Sequence, residues 1–469
     1  MKNKFKSLTL ITFGLVFGIL ISVNLSVFAD KKSEAKKLPV EDLRIFAEVF
    51  GKIKADYVEE VEDKQLLTEA LNGMLAGLDP HSTFLDQDHF KEMQQGTAGE
   101  FGGLGIEVGM EDGFVKVISP IEDTPAFKAG LQSGDLIIKL DDKSTKGMSL
   151  NDAVKIMRGK PGTSLNVQIL RKGQDTPFDV KITRAQIKSQ SVRAKLIQED
   201  YGYIRVTQFQ ERTGEDVAKS INKLFDENKK PLNGLVLDMR NNPGGLLNAA
   251  VAVSAAFIPE GELVVYTEGR ARDSKMHLTA IPENFIRDPK NNYIEKLPSE
   301  IKKTPLVVLV NNGSASASEI VAGALQDHKR ALVVGTKSFG KGSVQSILPM
   351  NNGTAIKLTT ARYFTPNGRS IQAKGIDPDI VVEDGFSGLM SREADLSNRL
   401  SNPEDQNNEA DPDNSAENDA KKENTTSKSD DGAEALKSFK PLEFGTEEDK
   451  QFQEALNILK GIDIYKKIN

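Results

Sequence analysis

Three serines stand in a run otherwise made of small residues and one acid: Asn311-Asn312-Gly313-Ser314-Ala315-Ser316-Ala317-Ser318-Glu319. Nothing bulky shields them, so a hydroxyl there is open to a reacting partner. Ser316-Ala-Ser-Glu319 also fits a capping box, serine at the N-cap and glutamate at N3, and a cap alone would account for both residues. A hydroxyl becomes a strong nucleophile only when a base takes its proton. Lys341, in Phe339-Gly-Lys341-Gly-Ser-Val-Gln345, is a candidate base, because burial favours the neutral amine. Gln345 follows it by four residues. That offset shares one face in a strand or a helix, so the amide can orient the amine. The turn Asp238-Met-Arg-Asn-Asn-Pro-Gly244-Gly245 adds backbone that can approach a ligand closely.

These residues need elements that bring them together. Pro305-Leu-Val-Val-Leu-Val310 reads as a buried strand and Ile320-Val-Ala-Gly-Ala-Leu325 as the apolar run of a helix. Ser316 therefore falls on a strand-to-helix turn, where backbone N–H groups are free. A returning strand, Ala331-Leu-Val-Val-Gly335, separates that helix from Lys341. Tyr201 to Val206 and Gly234 to Asp238 read as strands around a helix from Asp216 to Asn228, an alternation that implies α/β layers. Leu358 to Phe364 and Ile376 to Val382 read as closing strands. From Pro39 to about Gln95 the pattern is helical, with Leu43, Phe46, Ala47, Phe50, Ile53 and Tyr57 at helical spacing. Leu66, Ala70, Leu71, Met74 and Leu78 mark a second helix in it, which Leu78-Asp-Pro-His81-Ser82 ends, with His81 as a turn residue. His89, His277 and His328 show no ligand spacing, so no metal or other cofactor is expected.

A chain of 469 residues exceeds what one core holds, so two or three domains are expected. A formal net charge of −7, with no basic block beyond the N-terminus, disfavours nucleic acid as a partner. The absence of cysteine excludes disulfides, a thiol nucleophile, thiolate zinc sites and lipidation on Cys. Lys2, Lys4 and Lys6 precede an apolar run from Leu8 to Phe28 that ends in Val27-Phe-Ala29. Residues 1–29 are thus expected to be a signal peptide or a retained membrane anchor. Either places the remainder in an exported compartment, the periplasm or the outer face of the inner membrane of a bacterium.

Three motifs in order, Asp238-Met-Arg-Asn-Asn-Pro-Gly-Gly245, Gly313-Ser-Ala-Ser316-Ala-Ser-Glu319 and Phe339-Gly-Lys341-Gly-Ser-Val-Gln345, resemble the C-terminal processing peptidases, or tail-specific proteases. The resemblance runs from about Leu38 to Asp379. It implies a crotonase-like protease core with Ser316 as nucleophile, Lys341 as general base and Gln345 in support. It further implies that Ala317 N–H and one of Gly244 and Gly245 form the oxyanion site. Between Gly99 and about Ala185, Gly103-Leu104-Gly105-Ile106, Pro125-Ala-Phe-Lys-Ala-Gly-Leu131 and Gly134-Asp-Leu-Ile-Ile-Lys-Leu140 resemble a PDZ domain. Glycines leave N–H groups free to converge on a peptide carboxylate, and the strand after them offers an edge. In the family an Arg placed like Arg158 links the PDZ domain to the active site; a solvated arginine near a helix end is the plainer reading.

From Ser391 to Lys437 the chain becomes Asn, Asp, Glu, Ser and Lys, and is expected to be disordered for want of apolar surface. Phe452, Ala455, Leu456, Ile458 and Leu459 form an amphipathic helix. The expected chain is multidomain α+β: a helical region over 38–95, a PDZ domain over 99–186, a protease core over 187–390, an acidic linker over 391–437 and a helical segment over 438–469. Its expected function is serine endopeptidase, acting on proteins with free apolar C-termini. An activating adaptor and an oligomer built through the terminal helices are expected partners. The competing readings are a PDZ scaffold on an inactive core and acyl-thioester chemistry on a crotonase-like fold.

Overall fold

A computed structural model of the chain describes residues 39–121, 123–174, 176–198, 200–286, 289–383, 391–408 and 443–468. The expected signal or anchor segment lies outside them, as does most of the expected linker. Among the described residues no helix is long and apolar enough to cross a membrane.

The chain divides into two units, residues 1–70 and 71–469. In the first, α1 (Val40–Asp56) has Glu41 and Asp42 in its first turn and Lys54 in its last, as the helix dipole favours. Its apolar residues Val40, Leu43, Ile45, Phe46 and Val49 are all exposed. A second helix, α2 (Asp63–Ala76), starts here.

In the second unit the helical region is interrupted at the turn expected to end its second helix. Asp79-Pro80 follows α2, and a three-residue strand, β1 (Thr83–Leu85), precedes α3 (Gln87–Ala98). The interruption has a local cause. The Asp79 carboxylate accepts the His81 and Ser82 N–H groups, closing a turn that a helix cannot continue through. Asp86 caps α3 by accepting the His89 N–H, and Gly99 ends it at φ 70°.

The expected PDZ fold is present. A strand β2 (Glu100–Gly103) leads into β3 (Ile106–Glu111), β4 (Phe114–Pro120), α4 (Pro125–Lys128), β5 (Leu136–Leu140), β6 (Lys143–Ser144), α5 (Leu150–Met157), β7 (Ser164–Leu170) and β8 (Phe178–Thr183). The sheet order is β3-β4-β5-β7-β8, which leaves β3 as an edge. Val115, Val117, Ile137, Val167 and Ile169 fill the core, fully buried. The chain leaves through β9 (Ala185–Lys188), which pairs antiparallel with β2.

The remaining strands build the core that carries the serines. Following β10 (Val192–Ile197) and β11 (Tyr201–Val206) come α6 (Thr213–Asn228), β12 (Gly234–Asp238), α7 (Leu247–Ala255), β13 (Leu263–Gly269), β14 (Met276–Thr279), β15 (Leu306–Val310), α8 (Ala317–Asp327), β16 (Leu332–Gly335), β17 (Ser343–Pro349), β18 (Ala355–Phe364) and β19 (Ile380–Val381). The main sheet runs β10-β11-β12-β15-β16-β19, parallel apart from the β10–β11 pair. Side chains alternate across it. Ile204, Leu235, Leu237, Val308 and Val333 meet α6, α7 and α8, whereas Tyr203, Val236, Val307, Leu309 and Val334 face the other side. A second sheet, β1-β18-β13-β14 with β17 on β18, stands beside the serine turn.

Two expectations about the C-terminal part are corrected. Residues 391–408 are ordered: Glu393 and Asn402 are buried, and α9 (Pro403–Asn408) follows. The polar composition misled because these residues are held by hydrogen bonds, Gln372 Nε2 donating to Glu393 Oε1 (2.8 Å) and Asn402 Nδ2 to the Gln372 carbonyl (2.7 Å). The last helix, α10 (Lys450–Ile468), spends its apolar stripe inside the chain. Phe452, Ala455, Leu456 and Leu459 are buried against the free face of the main sheet. Asp449, just before α10, pairs with Arg240, a residue the solvent does not reach. Leu456→Ala should therefore cost roughly 2–5 kcal/mol, and Asp449→Ala roughly 1–3 kcal/mol by taking one of the two carboxylates from buried Arg240 and leaving its donors short of an acceptor. Exposed Ile464→Ala should change stability by under about 0.5 kcal/mol. Urea unfolding of the three variants checks this.

Candidate active site

Ser316 ends the turn from β15 into α8 with φ 54° and ψ −111°. An ordinary N-cap sits in the extended region, so a cap role alone does not explain this backbone. Strain of this kind persists only where surrounding bonds enforce it, and here they do. Ser314 Oγ donates to the Met239 carbonyl (2.8 Å), Ser318 Oγ to the Asn242 carbonyl (2.9 Å) and Ala315 N–H to the same carbonyl (3.0 Å). Asn241 and Asn311 exchange two hydrogen bonds, at 2.9 and 2.8 Å. These contacts sew the serine turn to the turn after β12. They also sort the three serines: two hydroxyls are committed to carbonyls, and Ser316 lines a cavity of about 1050 Å³.

Glu319, at the third position of α8, is fully buried. Its Oε2 accepts the N–H of Ser316 (2.7 Å) and of Lys341 (2.9 Å); Oε1 accepts the N–H of Gly340 and the Ser338 hydroxyl, both at 2.6 Å. Burial pushes its carboxyl up to about 7, against the pull of those four donors. One carboxylate thus holds the backbone of both residues singled out for chemistry.

Lys341 is half-buried and lines the same cavity. Burial, and then the like charge of Lys357, lower its amine to about 8, against Glu393, Glu319 and Asp79. Tyr363 closes the wall behind it. Its hydroxyl donates to the Lys341 carbonyl and also neighbours Ser316. No hydrogen bond joins Ser316 Oγ to Lys341 Nζ among the described residues; such contacts commonly tighten only with substrate in place. Gln345 lines the cavity but makes no bond to the Lys341 amine. Its Nε2 donates to Ser343 Oγ (3.0 Å) and Thr359 Oγ1 (3.2 Å) instead.

Gly244 reaches the serine turn directly, and Gly245 packs on the Phe209 backbone beside it. A Cβ on Gly244 would sit 2.8 Å from Ser316 Cβ and 2.9 Å from Ala317 N, and one on Gly245 would sit 2.0 Å from the Phe209 carbonyl oxygen. Gly244 N–H donates to Asn242 Oδ1 (2.9 Å). The N–H groups of Gly245 and Ala317 have no partner among the described residues, which makes them the pair available to a developing oxyanion. Phe90 and Met93 of α3, with Leu246, Leu247, Met276 and Leu278, give the cavity an apolar wall.

In the PDZ fold, Leu104 is buried, Gly105 takes φ 81° and Ile106 opens the edge strand β3. Gly103 closes β2 against β9. Arg158 lies elsewhere: its guanidinium stacks 5.0 Å over the Phe101 ring on β2 and does not line the cavity.

Sequence reasoning placed Glu319 only as a capping residue and passed over Tyr363, Lys357 and Asp79. Glu319 was findable. It is the one carboxylate in the first turns of a helix that is apolar all round, and a buried carboxylate must find hydrogen bonds. Tyr363 and Lys357 carried no such signal, since their neighbours are set by strand pairing across distant parts of the chain.

Three stretches of the chain are similar to known families. Residues 200–382 match the model of peptidase family S41, residues 102–182 that of a PDZ domain and residues 22–89 that of the activating protease CtpB N-terminal domain. The carboxy-terminal-processing protease of Bartonella bacilliformis is 46% identical over 372 residues, covering 78% of this chain and 81% of that protein. The carboxy-terminal processing protease CtpA of Bacillus subtilis is 34% identical over 366 residues, covering 78% and 73%. Among solved structures, a photosystem II D1 C-terminal processing protease is 29% identical with a TM-score of 0.40, covering 72% of this chain and 92% of that one.

Removing the Glu319 carboxylate leaves three N–H groups and a hydroxyl without their acceptor, each costing roughly 1–3 kcal/mol. Glu319→Ala should lower the thermal midpoint by several degrees and abolish labelling of Ser316 by a fluorophosphonate. Labelling at the wild-type rate in a folded Glu319→Ala protein would show that the two backbones do not need this tie.

Proposed function

The chain belongs to the carboxy-terminal processing proteases of peptidase family S41, and on that premise we propose that it is an exported endopeptidase in which Ser316 and Lys341 form a nucleophile–base dyad. That it is a serine-type peptidase follows from the family. The dyad is supported by one observation above the others: the strained serine turn and a desolvated lysine line one cavity, with one buried carboxylate holding the backbone of both.

The chemistry then runs as follows. Neutral Lys341 accepts the proton of Ser316 Oγ, which attacks the scissile carbonyl carbon. The oxyanion is held by the N–H groups of Ala317 and Gly245, with about 2.7–4 kcal/mol from each donor in comparable sites. Gly244 is the poorer choice because its N–H is already committed to Asn242. The Lys341 ammonium returns its proton to the leaving amine, and water deprotonated by the same amine resolves the acyl-enzyme. A scaffold without activity gains nothing from a lysine whose amine burial lowers to about 8, which favours the enzyme over the adaptor reading.

Substrate selection fits the PDZ fold. β3 is a sheet edge beginning at Ile106, directly after Gly103-Leu104-Gly105, so an extended peptide can add as a strand with its terminal carboxylate at the glycine turn. Export is read from the basic and apolar N-terminal segment. For subunit assembly, the exposed apolar residues of α1 are a better candidate than α10, whose stripe is already covered. An adaptor is consistent with the open sites, without a surface that names it.

Ser316→Ala and Lys341→Ala should each abolish hydrolysis of an unfolded protein substrate while leaving the thermal midpoint nearly unchanged, and the double variant should be no worse than either. Lys341→Arg should be equally inactive, since a guanidinium stays protonated. The folded amine titrates near 8. The base is therefore neutral above that pH and charged below it, and kcat/KM should rise with pH through a midpoint near 8. Activity in Lys341→Arg, or a flat profile from pH 6 to 9, would remove the dyad.

For the PDZ role, amidating the C-terminus of a substrate with an apolar terminal residue should raise KM, because the glycine turn then loses its carboxylate. Matched steady-state kinetics on free and amidated peptides test this, and equal values would dismiss carboxylate capture.

A further inference from the structure

Below Gln345 lies a set of polar groups that the proposed chemistry leaves unused. Between Val344 and Gln345 the β17–β18 register shifts, so that Gln345 stands opposite Thr359. Such shifts re-aim side chains. Gln345 Nε2 donates to Thr359 Oγ1 (3.2 Å) and to Ser343 Oγ (3.0 Å), and Thr359 Oγ1 donates to Asp79 Oδ1 (3.0 Å). Asp79, 3% exposed, belongs to the turn before β1 and is itself fixed by the N–H groups of His81 (2.8 Å) and Ser82 (2.9 Å) and by Ser82 Oγ (2.7 Å). Burial raises its carboxyl, but the bonds from Ser82, His81 and Thr359 outweigh that and hold it below the usual range.

We propose that Asp79 and Thr359 are positioning residues that set which end of the Gln345 amide faces the cavity, presenting Gln345 Oε1 to the Lys341 amine. The inference rests on the dyad reading above. Its logic is a count of protons. A carboxylate only accepts, so Asp79 takes the one hydroxyl proton of Thr359. The Thr359 oxygen is then left with lone pairs alone and can only accept from Gln345, which forces the NH2 end of the amide toward the sheet. The carbonyl end is the end that remains for the cavity. An acceptor beside the Lys341 amine is what a base needs in both protonation states: it orients the lone pair of the neutral amine through an N–H bond and steadies the ammonium formed after proton transfer. A turn remote in sequence thereby decides the orientation of a group at the reacting atoms.

The test uses the full-length protein, with the active fraction titrated by a fluorophosphonate. Thr359→Val keeps the shape and deletes the hydroxyl. Loss of alignment of this kind costs up to about 10²-fold, so kcat should fall by roughly 10- to 100-fold with KM unchanged. Thr359→Ser should recover most of that loss. Asp79→Asn, whose amide can donate to Thr359 and reverse the relay, should lower kcat in the same way. It serves as the second probe if Thr359→Val folds poorly by thermal melting. Once Gln345 is replaced by Ala, adding Thr359→Val should slow the enzyme no further, because the hydroxyl acts only through that amide. Wild-type kcat in folded Thr359→Val or Asp79→Asn, or losses that multiply in the double variant, overturn the relay. Residual activity in Ser316→Ala or Lys341→Ala overturns the dyad instead, and the Thr359 variants cannot produce that result.

Discussion

A carboxylate sealed from water must find its hydrogen bonds in the protein, and Glu319 finds them on both halves of the site. Its oxygens accept from the backbones of Ser316, Gly340 and Lys341 and from the Ser338 hydroxyl. The serine turn cannot relax out of its positive φ without losing one of these bonds, and the lysine loop cannot drift without losing the other three. The glycine turn is tied in separately, through Asn241, Asn242 and Met239, to the same serine segment. The backbone of every residue proposed to touch the scissile bond is therefore fixed, which leaves only the side-chain torsions of Ser316 and Lys341 to be set by their neighbours.

A second buried charge set secures the far side of the sheet. Arg240 forms paired contacts with Asp238 and Asp449 and a further bond to Gln451, while Phe444 stacks on its guanidinium. Burial opposes charge on both sides, but the two carboxylates outweigh it and keep the guanidinium charged, and Arg240 in turn holds Asp238 below the usual carboxylate range. Arg240 stands in the turn that carries Gly244 and Gly245. The C-terminal segment thus braces the oxyanion side of the site through the sheet, at a place no substrate reaches.

Much of this was legible in the sequence, for identifiable reasons. The buried apolar strands, the strand-to-helix placement of Ser316 and the PDZ glycine turn all arise from local pattern, and the structure has them. Two expectations failed, each where non-local pairing overrode local composition. Residues 391–408 look like a solvated linker, yet Glu393 is buried with His81 and Gln372 as partners. The stripe of α10 looks like a subunit contact, yet the main sheet has an uncovered face for it. The offset between Lys341 and Gln345 puts both on one cavity, but which end of the amide faces the amine is decided by the register shift in β17 that sets Gln345 against Thr359. No reading of spacing could supply that shift, because it is set by the opposing strand.

The short β2–β9 ribbon has a consequence for how this chain can vary. It holds both ends of the PDZ domain side by side, at the separation of neighbouring strands. The entropy of closing that gap is met by four residue pairs and grows only slowly with whatever lies between them. To the core, the domain is a long excursion that starts and finishes at one point. Its size and binding preference can drift, or a different recognition module can take its place, without shifting the register of any strand that carries the serine, the lysine or the glycines. Descent with new specificities is then open to this architecture at low structural risk, because selection can act on the excursion while the chemistry stays still.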